Sequence, residues 1–369
     1  MLQYFEVEGF RGFRDRVRFD LKARNYDFNL EVVSQDIIKN SLIYGKNGSG
    51  KSSLGIALFD VIAHLTDKRH FDPEYLEAYK NLDRPENEPI SFAYAFRFGD
   101  TNVHYRYTKN APHDLLHETL SVDGVPVIDY DYADPSCRMV DRTFFGDIRI
   151  DLPDNRLSVL KYLYRNLPTN KVPFLTKLFK FCEGMLWFRS LSDGNVYAGY
   201  TTDSWRLTDV LYDSQKLEDF AAFLRENGIT YDLEFREVDG KQQLFVRFAG
   251  GRVANFFSVA STGTRALMLF YTWSVSAFND ITLLFIDEFD AFLHYESAAA
   301  IVRRLNGIPN FQSILTTHNT YLMQNKFTRP DACFLITDTR ICTLAEATQK
   351  ELREAHNLEK LYVNGAFCE

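Results

Sequence analysis

Hydrophobic and polar positions alternate with period two in much of the N-terminal part of the chain. Residues 1–8 alternate loosely and predict a strand, and residues 89–109 and 116–130 predict an antiparallel β meander. Between these stretches, "SLIYGKNGSGKSSLGIALFDVIAHL" (41–65) predicts a short buried strand, a glycine-rich turn and a helix. The N-terminal part therefore combines one strand–turn–helix unit with antiparallel strands.

From about residue 152 the spacing becomes helical, in the segments 156–167, 173–188 and 214–228. A hairpin is predicted around Asp239-Gly240. Helical and strand-like runs then alternate to the end, as in a parallel α/β sheet. The pattern predicts three parts: residues 1–150 with the glycine-rich turn and the meander, an inserted helical lobe at 151–235, and 236–369 completing the α/β unit.

Composition excludes several classes of protein. With 46% hydrophobic and 25% charged residues, the 369-residue chain has a globular composition, and its net charge of −8 argues against a surface that is basic throughout. No Cys-x-x-Cys pair occurs, so neither a zinc site nor a disulfide framework is indicated. The N-terminus has no signal-peptide pattern, and the longest apolar run (266–278) is too short to span a bilayer. We expect a cytoplasmic protein with no membrane partner.

The glycine-rich turn has the form G-x-x-x-x-G-K-S. Glycines let backbone N–H groups converge on phosphates, Lys51 would reach the β- and γ-phosphates, and the Ser52 hydroxyl would ligate Mg²⁺. A chance match is the competing interpretation, but chance rarely puts a strand before the turn and a helix after it. The predicted nucleotide-binding residues here are Gly45, Asn47, Gly48, Ser49, Gly50, Lys51, Ser52 and Ser53.

A second segment, "LLFIDEFD" (283–290), predicts a buried strand that ends in two carboxylates. Burying acidic groups is costly unless they have a role. Beside a phosphate-binding loop, Asp287 would hold Mg²⁺ or its water shell, and Glu288 would polarise the attacking water. An isolated acidic pair would fit a strand ending in a solvated turn equally well.

Two more segments have weaker signals. In "SILTTHN" (313–319), His318 ends a buried strand and would lie near the γ-phosphate if that strand joins the sheet of Asp287. A histidine that merely caps a strand is the alternative. In "SVASTGTRA" (258–266), Ser261, Gly263 and Arg265 precede a long apolar helix whose N-terminus would attract an anion. An ordinary helix N-cap explains the same residues.

The order of these four segments resembles the ATP-binding-cassette (ABC) class of ATPases. The resemblance implies an α/β P-loop NTPase fold with a mixed sheet, and Mg²⁺-dependent ATP hydrolysis in which Glu288 and His318 are catalytic. It implies a signature segment at 258–266 and a D-loop at 290–294. Because such ATPases pair head-to-tail, it also implies a homodimer or higher oligomer in which Ser261 and Gly263 act on ATP held by the partner's P-loop.

The opening "FRGFRDRVRFDL" is similar to the RecF, SMC and OLD-like branch of this class, in which an N-terminal arginine can touch the nucleotide. Arg11 or Arg14 would do this here, unless it forms a surface salt bridge. The C-terminal third resembles the AbiLi- and RloA-type ATPases of bacterial abortive infection. No TOPRIM nuclease is expected, because "ITDTR" offers only Asp338, so any nuclease would be a separate chain.

ABC-class ATPases also carry a Q-loop glutamine. No Gln lies between Lys51 and Gln215, and residues 144–149 are the candidate substitute.

These resemblances imply an ATPase switch of an anti-phage defence system that controls a separate effector, a nuclease or toxin from a neighbouring gene. The alternative is a RecF-like ATPase that binds nucleic acid in DNA repair or replication. For that alternative, residues 154–190 offer seven basic side chains against Asp154 and Glu183: Arg156, Lys161, Arg165, Lys171, Lys177, Lys180 and Arg189. A solvated helix face accounts for the same charges.

Overall fold

The computed structural model describes residues 1–152, 154–168, 171–191, 196–201, 208–309, 311–337 and 339–367; Asp338 and Cys368 lie outside this set. The described strands are β1 (Leu2–Glu8), β2 (Val17–Asp20), β3 (Val33–Ser34), β4 (Ile37–Ile38), β5 (Asn40–Tyr44), β6 (Ile90–Phe98), β7 (Thr101–Ala111), β8 (Asp114–Val122), β9 (Val125–Asp131), β10 (Arg138–Val140), β11 (Met185–Phe188), β12 (Tyr197–Gly199), β13 (Asp232–Val238), β14 (Lys241–Arg247), β15 (Val253–Asn255), β16 (Leu283–Ile286), β17 (Gln312–Thr316), β18 (Cys333–Ile336) and β19 (Ile341–Thr343).

The described helices are α1 (Lys51–Leu58), α2 (Ile62–Leu65), α3 (Arg142–Phe145), α4 (Val159–Asn166), α5 (Pro173–Glu183), α6 (Ser214–Glu226), α7 (Phe256–Val259), α8 (Thr262–Ser276), α9 (Tyr295–Asn306) and α10 (Leu358–Val363). Short 3₁₀ turns occur at Leu30–Val32, Pro73–Leu76, Pro135–Cys137, Asp209–Leu211 and Thr320–Met323. None of the helices in the described ranges has both the length and the apolarity needed to cross a bilayer.

The central sheet has the strand order β12-β11-β16-β17-β5-β18-β19. Strands β11, β16, β17, β5 and β18 are mutually parallel, and antiparallel strands flank them at both edges. The predicted α/β fold with a mixed sheet is confirmed. The five parallel strands place their carboxyl ends at one edge of the sheet, where ligands bind in open α/β folds.

A second sheet is antiparallel, with the order β10-β9-β8-β7-β6-β1-β2. The predicted meander forms its larger part, because β6 pairs with β7, β7 with β8 and β8 with β9. The predicted N-terminal strand is β1, and it joins this sheet next to β6. The meander is therefore continuous with the residues that lead to the loop at 9–13.

The core lies on both faces of the central sheet. On one face, Ile43, Phe285 and Ile314 pack with α1 and with side chains of the antiparallel sheet. On the other face, Tyr44 and Ile286 pack with α8 and α9. Covering both faces explains why the parallel strands read as continuous apolar runs rather than alternating ones.

The first helix is fixed to the antiparallel sheet by a buried ion pair. Lys109 Nζ donates to Asp60 Oδ1 at 2.6 Å, and the Tyr107 hydroxyl donates to the same oxygen at 2.8 Å. Asp60 lies just after α1, and both charged side chains are almost fully buried. Removing either charge alone would leave the other unpaired in the core, so this pair holds α1 in a defined position.

Residues 151–235 are not purely helical, which corrects the predicted helical lobe. After α4 and α5, "MLWF" forms β11, which pairs in parallel with β16, and β12 extends the sheet beyond it. The spacing predicts one helix over 173–188, but α5 ends at Glu183 and Gly184 follows it as its C-cap. A four-residue apolar run cannot be distinguished from buried helix by periodicity, and its partner strand is remote in sequence. The segment boundaries remain a prediction.

Candidate functional site

The glycine-rich turn joins β5 to α1, as the sequence predicts. Gly48 and Gly50 adopt positive φ angles of 80° and 95°, a conformation that glycine tolerates without strain. A Cβ atom at Gly45 would lie 2.7 Å from the carbonyl oxygen of Ile336, so the turn also needs glycine for close packing. The loop thus bends tightly against β18 and the start of α1.

Lys51 lies inside this loop rather than in solvent. Its Nζ atom donates to the carbonyl oxygens of Gly45 at 2.8 Å and Lys46 at 3.0 Å. Burial lowers the pKa of Lys51, while the negative charges of Asp287 and Glu288 act in the opposite direction. The ammonium group is therefore desolvated beside two carboxylates and can exchange its carbonyl partners for phosphate oxygens.

Asp287 and Glu288 follow β16 at the same edge of the sheet. The Thr316 hydroxyl donates to Asp287 Oδ1 at 2.6 Å and accepts from the Glu288 backbone N–H at 2.7 Å. Burial raises the pKa of Asp287, although hydrogen bonds from Ser52 and Thr316 oppose that shift. Glu288 has φ 46°, an unusual left-handed conformation for a glutamate, and its side chain is exposed. Neighbouring carboxylates thus differ in environment, one buried and one open.

His318 follows β17, which lies between β16 and β5 and is parallel to both. This pairing brings His318 to the sheet edge that carries Lys51 and Asp287. Its side chain is exposed. Burial raises the pKa of the neighbouring Asp290 carboxyl, and a hydrogen bond from Thr317 opposes that shift. The switch segment and the D-loop therefore contact each other, since the Thr317 hydroxyl donates to Asp290 Oδ2 at 2.7 Å.

A cavity of about 430 Å³ opens above the phosphate-binding loop. Its lining combines the loop with Glu288 and with two residues of the N-terminal turn. The structure thereby brings together most of the predicted nucleotide-binding residues: Asn47, Gly48, Ser49, Gly50, Lys51, Ser52, Ser53 and Glu288, with Gly12 and Phe13. Phosphates of a nucleotide and one acidic side chain can meet in this space.

A second cavity of about 620 Å³ adjoins the first through Gly12 and Ser53. Arg11 lines it, but its guanidinium donates to the backbone carbonyls of Tyr75 and Glu77, and burial lowers its pKa. Arg14 also lines this cavity. Residues 77–83 form the opposite wall and are tied to the N-terminal turn, since the Asn81 N–H donates to the Gly9 carbonyl oxygen at 2.9 Å. Nothing in their sequence pattern identified residues 77–83 as part of a site.

The signature segment lies apart from these cavities within the same chain. Ser261 is the N-cap of α8, and its hydroxyl accepts from the Thr264 N–H at 3.1 Å. A Cβ atom at Gly263 would lie 2.6 Å from the carbonyl oxygen of Phe292 in the D-loop. Arg265 donates to the carbonyl oxygen of Phe257. The structure thus joins the signature segment to the D-loop and does not bring Ser261 or Gly263 into the cavity above the P-loop.

The candidate Q-loop segment at 144–149 lies elsewhere, which corrects that hypothesis. Phe144 and Phe145 pack edge-on against Phe174 of α5, with ring centroids 5.5 and 6.4 Å apart. The Arg149 carbonyl oxygen accepts from the Tyr162 hydroxyl at 3.0 Å. Phe145 is buried in the core and Phe144 packs against that core, and none of residues 144–149 is among those that line the cavity above the P-loop. On the side of β16 that is away from β17, the neighbouring strand is β11 and not a strand from residues 144–149.

Comparison with solved structures gives likenesses at low identity. The SMC head domain from Thermotoga maritima is 15% identical with a TM-score of 0.45, covering 93% of this chain and 98% of that one. An SMC head bound to the C-terminal winged-helix domain of ScpA is 14% identical with a TM-score of 0.48, covering 94% and 99%. An SMC head from Pyrococcus furiosus bound to the C-terminal domain of ScpA is 13% identical with a TM-score of 0.45, covering 94% and 97%. At such identities the similarity gives no evidence about the function of this chain.

No curated protein sequence matches the chain. The model of one protein family does match, over residues 41–324, and its description reads "AAA domain, putative AbiEii toxin, Type IV TA system". The match begins in the strand before the P-loop and ends after the switch histidine, so it includes the phosphate-binding loop, the signature segment and the acidic strand. The chain is an ATPase of the P-loop class and belongs to this AbiEii-type AAA family.

Proposed function

We propose that the cavity above the P-loop binds ATP with Mg²⁺ and that this site hydrolyses it. The observation that carries the proposal is that Lys51 and Glu288 line this cavity, with the buried Asp287 at the same sheet edge and near enough to act on the pKa of Lys51. Lys51 and the backbone N–H groups of residues 47–53 bind the phosphates. Glu288 faces the cavity and polarises the attacking water, and His318 contacts the terminal phosphate. ATP turnover by the purified chain, lost on Lys51→Ala, tests this step.

The residues present fit Mg²⁺. This ion is commonly bound by one or two carboxylates, phosphates and water rather than by a cage of protein ligands. Among the described residues no cluster of three or more His, Cys, Asp or Glu side chains is arranged to hold a metal ion. The Ser52 hydroxyl lines the cavity and acts on the pKa of the neighbouring Asp287 carboxylate, and these two groups would be the protein ligands. When bound, the ion neutralises charge on the transferred phosphoryl group.

The base and ribose of the nucleotide extend into the adjoining cavity lined by Arg11, Arg14 and residues 77–83. The α-phosphate of a P-loop nucleotide lies near the first turn of the following helix, and Ser53 of that turn opens into both cavities. Arg11 supports this wall through the carbonyls of Tyr75 and Glu77. Its role toward the nucleotide is therefore to shape the pocket, whereas the exposed side chain of Arg14 contacts the ligand from the rim.

A head-to-tail dimer completes the site. Ser261 and Gly263 are remote from the chain's own P-loop cavity, and the N-terminus of α8 is a suitable anion-binding element. Apolar side chains are exposed in α7, in the D-loop and at the start of α9, namely Phe257, Val259, Phe292 and Tyr295. Such a group of exposed apolar residues beside a helix N-terminus is typical of a protein–protein contact. In the dimer, Ser261 and Gly263 face the terminal phosphate of ATP bound by the partner.

The engaged and separated states of this dimer control a separate effector in bacterial abortive infection against phage. The family description refers to a toxin–antitoxin system, which supports a function exerted together with a second protein. ATP binding biases the two states, and a partner that contacts only one of them is controlled by the nucleotide. We expect the effector to be a nuclease or toxin from a neighbouring gene.

The experiment is co-purification of the tagged chain with the product of each adjacent gene, in ATP with Mg²⁺ and in ADP. A nucleotide-dependent complex, together with no cleavage of DNA or RNA by the chain alone, supports the proposal. Nuclease activity of the chain alone that is lost on Asp338→Ala would contradict it.

The RecF-like alternative depends on the basic side chains of residues 154–190. Arg156 pairs with Asp154, while Lys161 and Arg165 both pair with Asp67, so part of this charge is neutralised within the chain. Lys177 and Lys180 remain exposed on α5 and have no ion pair among the described residues. Binding of duplex DNA that weakens steeply with salt and is lost on changing both lysines to Glu would favour this alternative.

A further inference from the structure

Arg189 follows β11 directly, at the edge of the sheet that carries the site. Strands β11 and β16 are parallel, with Phe188 opposite Ile286. The Asp287 N–H donates to the Phe188 carbonyl oxygen at 2.9 Å, so the two strands remain paired to the last residue. Continuing the same register by one residue puts Arg189 next to Asp287.

The side chains of Arg189 and Asp287 leave the same face of the sheet. Residues opposite each other on neighbouring strands point to the same side, and successive residues alternate. Trp187 and Phe285, two positions earlier, both contact α1, because a Cβ atom at Gly55 would lie 2.8 Å from Trp187 Nε1 and 2.5 Å from Phe285 Cε1. One turn earlier in α1 is Ser52, which hydrogen-bonds Asp287. Arg189 therefore leaves the end of β11 on the α1 side of the sheet, the same side as Asp287.

The charge of Arg189 has no partner among the described residues. Its side chain is exposed, and no carboxylate of the described ranges lies within ion-pair distance of it. A guanidinium carries only donors and cannot ligate a cation, so it would not join Asp287 and Ser52 in holding Mg²⁺. It is well suited to anionic oxygens, which it can bind with two parallel hydrogen bonds.

We propose that Arg189 binds an oxygen of the terminal phosphate of the nucleotide and thereby makes the site distinguish ATP from ADP. This inference rests on the proposed function of the P-loop cavity. The terminal phosphate lies beyond Lys51 on the side of Asp287 and Glu288, which is the side that Arg189 approaches. ADP lacks this phosphate, so the contact forms only with ATP and is broken when the bond to the terminal phosphate is cleaved.

The test compares ATP and ADP affinities of Arg189→Ala and Arg189→Lys with those of the unaltered full chain by titration calorimetry in Mg²⁺. Arg189→Ala should weaken ATP binding about ten-fold or more and leave ADP binding unchanged, since one charge-assisted contact is lost. Arg189→Lys should retain part of the preference for ATP, because it keeps the charge but not the planar donor pair. Lys180→Ala, which removes an exposed cation from α5, is the matched control and should change neither affinity.

Two results would overturn the inference. One is an ATP affinity of Arg189→Ala equal to that of the unaltered chain, when Lys51→Ala has lost ATP binding. That result would contradict the role of Arg189 and would still support the proposed ATP site. The other is an equal loss of ATP and ADP affinity in Arg189→Ala, which indicates general disturbance of the sheet edge. If Lys51→Ala also binds ATP normally, the proposed function fails, and this inference fails with it.

Discussion

The hydroxyl of Thr316 donates to Oδ1 of Asp287 at 2.6 Å, which links the strand before the switch histidine to the acidic end of β16. Thr316 is fully buried and also accepts from the Glu288 backbone N–H. One side chain thus orients a buried carboxylate and fixes the backbone at its neighbour. Several expectations about the site depend on this arrangement and on the contacts around it.

Replacing Thr316 with Val should impair both stability and turnover. The substitution keeps the shape but leaves the Asp287 carboxylate and the Glu288 N–H without this partner, at a cost of about 1–3 kcal/mol in the free energy of unfolding. Thr316→Ser keeps the hydroxyl and is the matched control. Denaturant unfolding and kcat measure the two effects. Equal behaviour of the Val and Ser variants would show that the hydrogen bond has no role.

Lys51→Ala should reduce ATP affinity by about 100-fold or more, because the cation enclosed by the predicted phosphate loop is lost. The measurement is equilibrium binding of a fluorescent ATP analogue, with circular dichroism to confirm folding. Lys180→Ala on α5 is the control for removing a cation elsewhere. An affinity in Lys51→Ala equal to that of the unaltered chain would refute the nucleotide site.

Glu288→Gln should bind ATP as tightly as the unaltered chain but hydrolyse it about 100-fold more slowly or worse, since the amide cannot take a proton from water. Rapid filtration measures bound ATP, and phosphate release measures turnover. Glu296→Gln, an exposed carboxyl-to-amide change at the start of α9, is the control. Full activity of Glu288→Gln would assign the water-polarising role to another group.

Asp287→Asn should stabilise the nucleotide-free protein while abolishing Mg²⁺-dependent turnover. Burial raises the pKa of Asp287, so the folded chain binds this proton more tightly than the unfolded chain. Stability therefore falls as pH rises from the unfolded value near 3.8 through the raised pKa, and stays lower above it. At neutral pH, replacing the buried carboxylate with an uncharged amide removes this loss of stability.

We expect the melting temperature of Asp287→Asn without nucleotide to rise by on the order of 1–2 °C at pH 7, with no rise at a pH below the unfolded pKa. Differential scanning calorimetry across pH measures this. Addition of ATP with Mg²⁺ should stabilise the unaltered chain more than the variant. A variant that is less stable at every pH would mean that hydrogen bonding to the carboxylate outweighs its desolvation.

Action of the signature segment in trans can be tested by mixing two inactive variants. Gly263→Asp would be expected to clash with the Phe292 carbonyl oxygen, so it also disturbs its own chain. Thr262→Asp is the better choice, because Thr262 is exposed and an acidic residue in the first turn favours α8 while repelling phosphate. Mixed with Lys51→Ala, it should restore about a quarter of the activity, since half of randomly paired dimers contain one intact site. No recovery at any ratio would indicate that each chain completes its own site.

The local units of the site could be predicted from runs of adjacent residues. Gly48, Gly50 and Lys51 identify a phosphate loop because glycine backbone freedom and one cation are what the chemistry needs, and these are properties of adjacent residues. The acidic end of β16 and the N-cap Ser261 were also readable, since each depends on a few consecutive positions. Their order along the chain was sufficient to predict the class of fold.

The pairing of segments remote in sequence could not be predicted, because it depends on the packing of the folded chain. "MLWF" forms β11 because it pairs in parallel with β16 at the side of the sheet away from β17, and no property of four apolar residues identifies that partner. The same holds for Arg11, whose guanidinium is satisfied by carbonyls of residues 75 and 77, and for Gly263, whose neighbour is the backbone of Phe292. Local spacing determines which faces of a helix or strand are apolar, whereas the packing of the whole core determines which strands become neighbours. Arg189 lies at the end of β11 and is next to Asp287 because β11 pairs with β16.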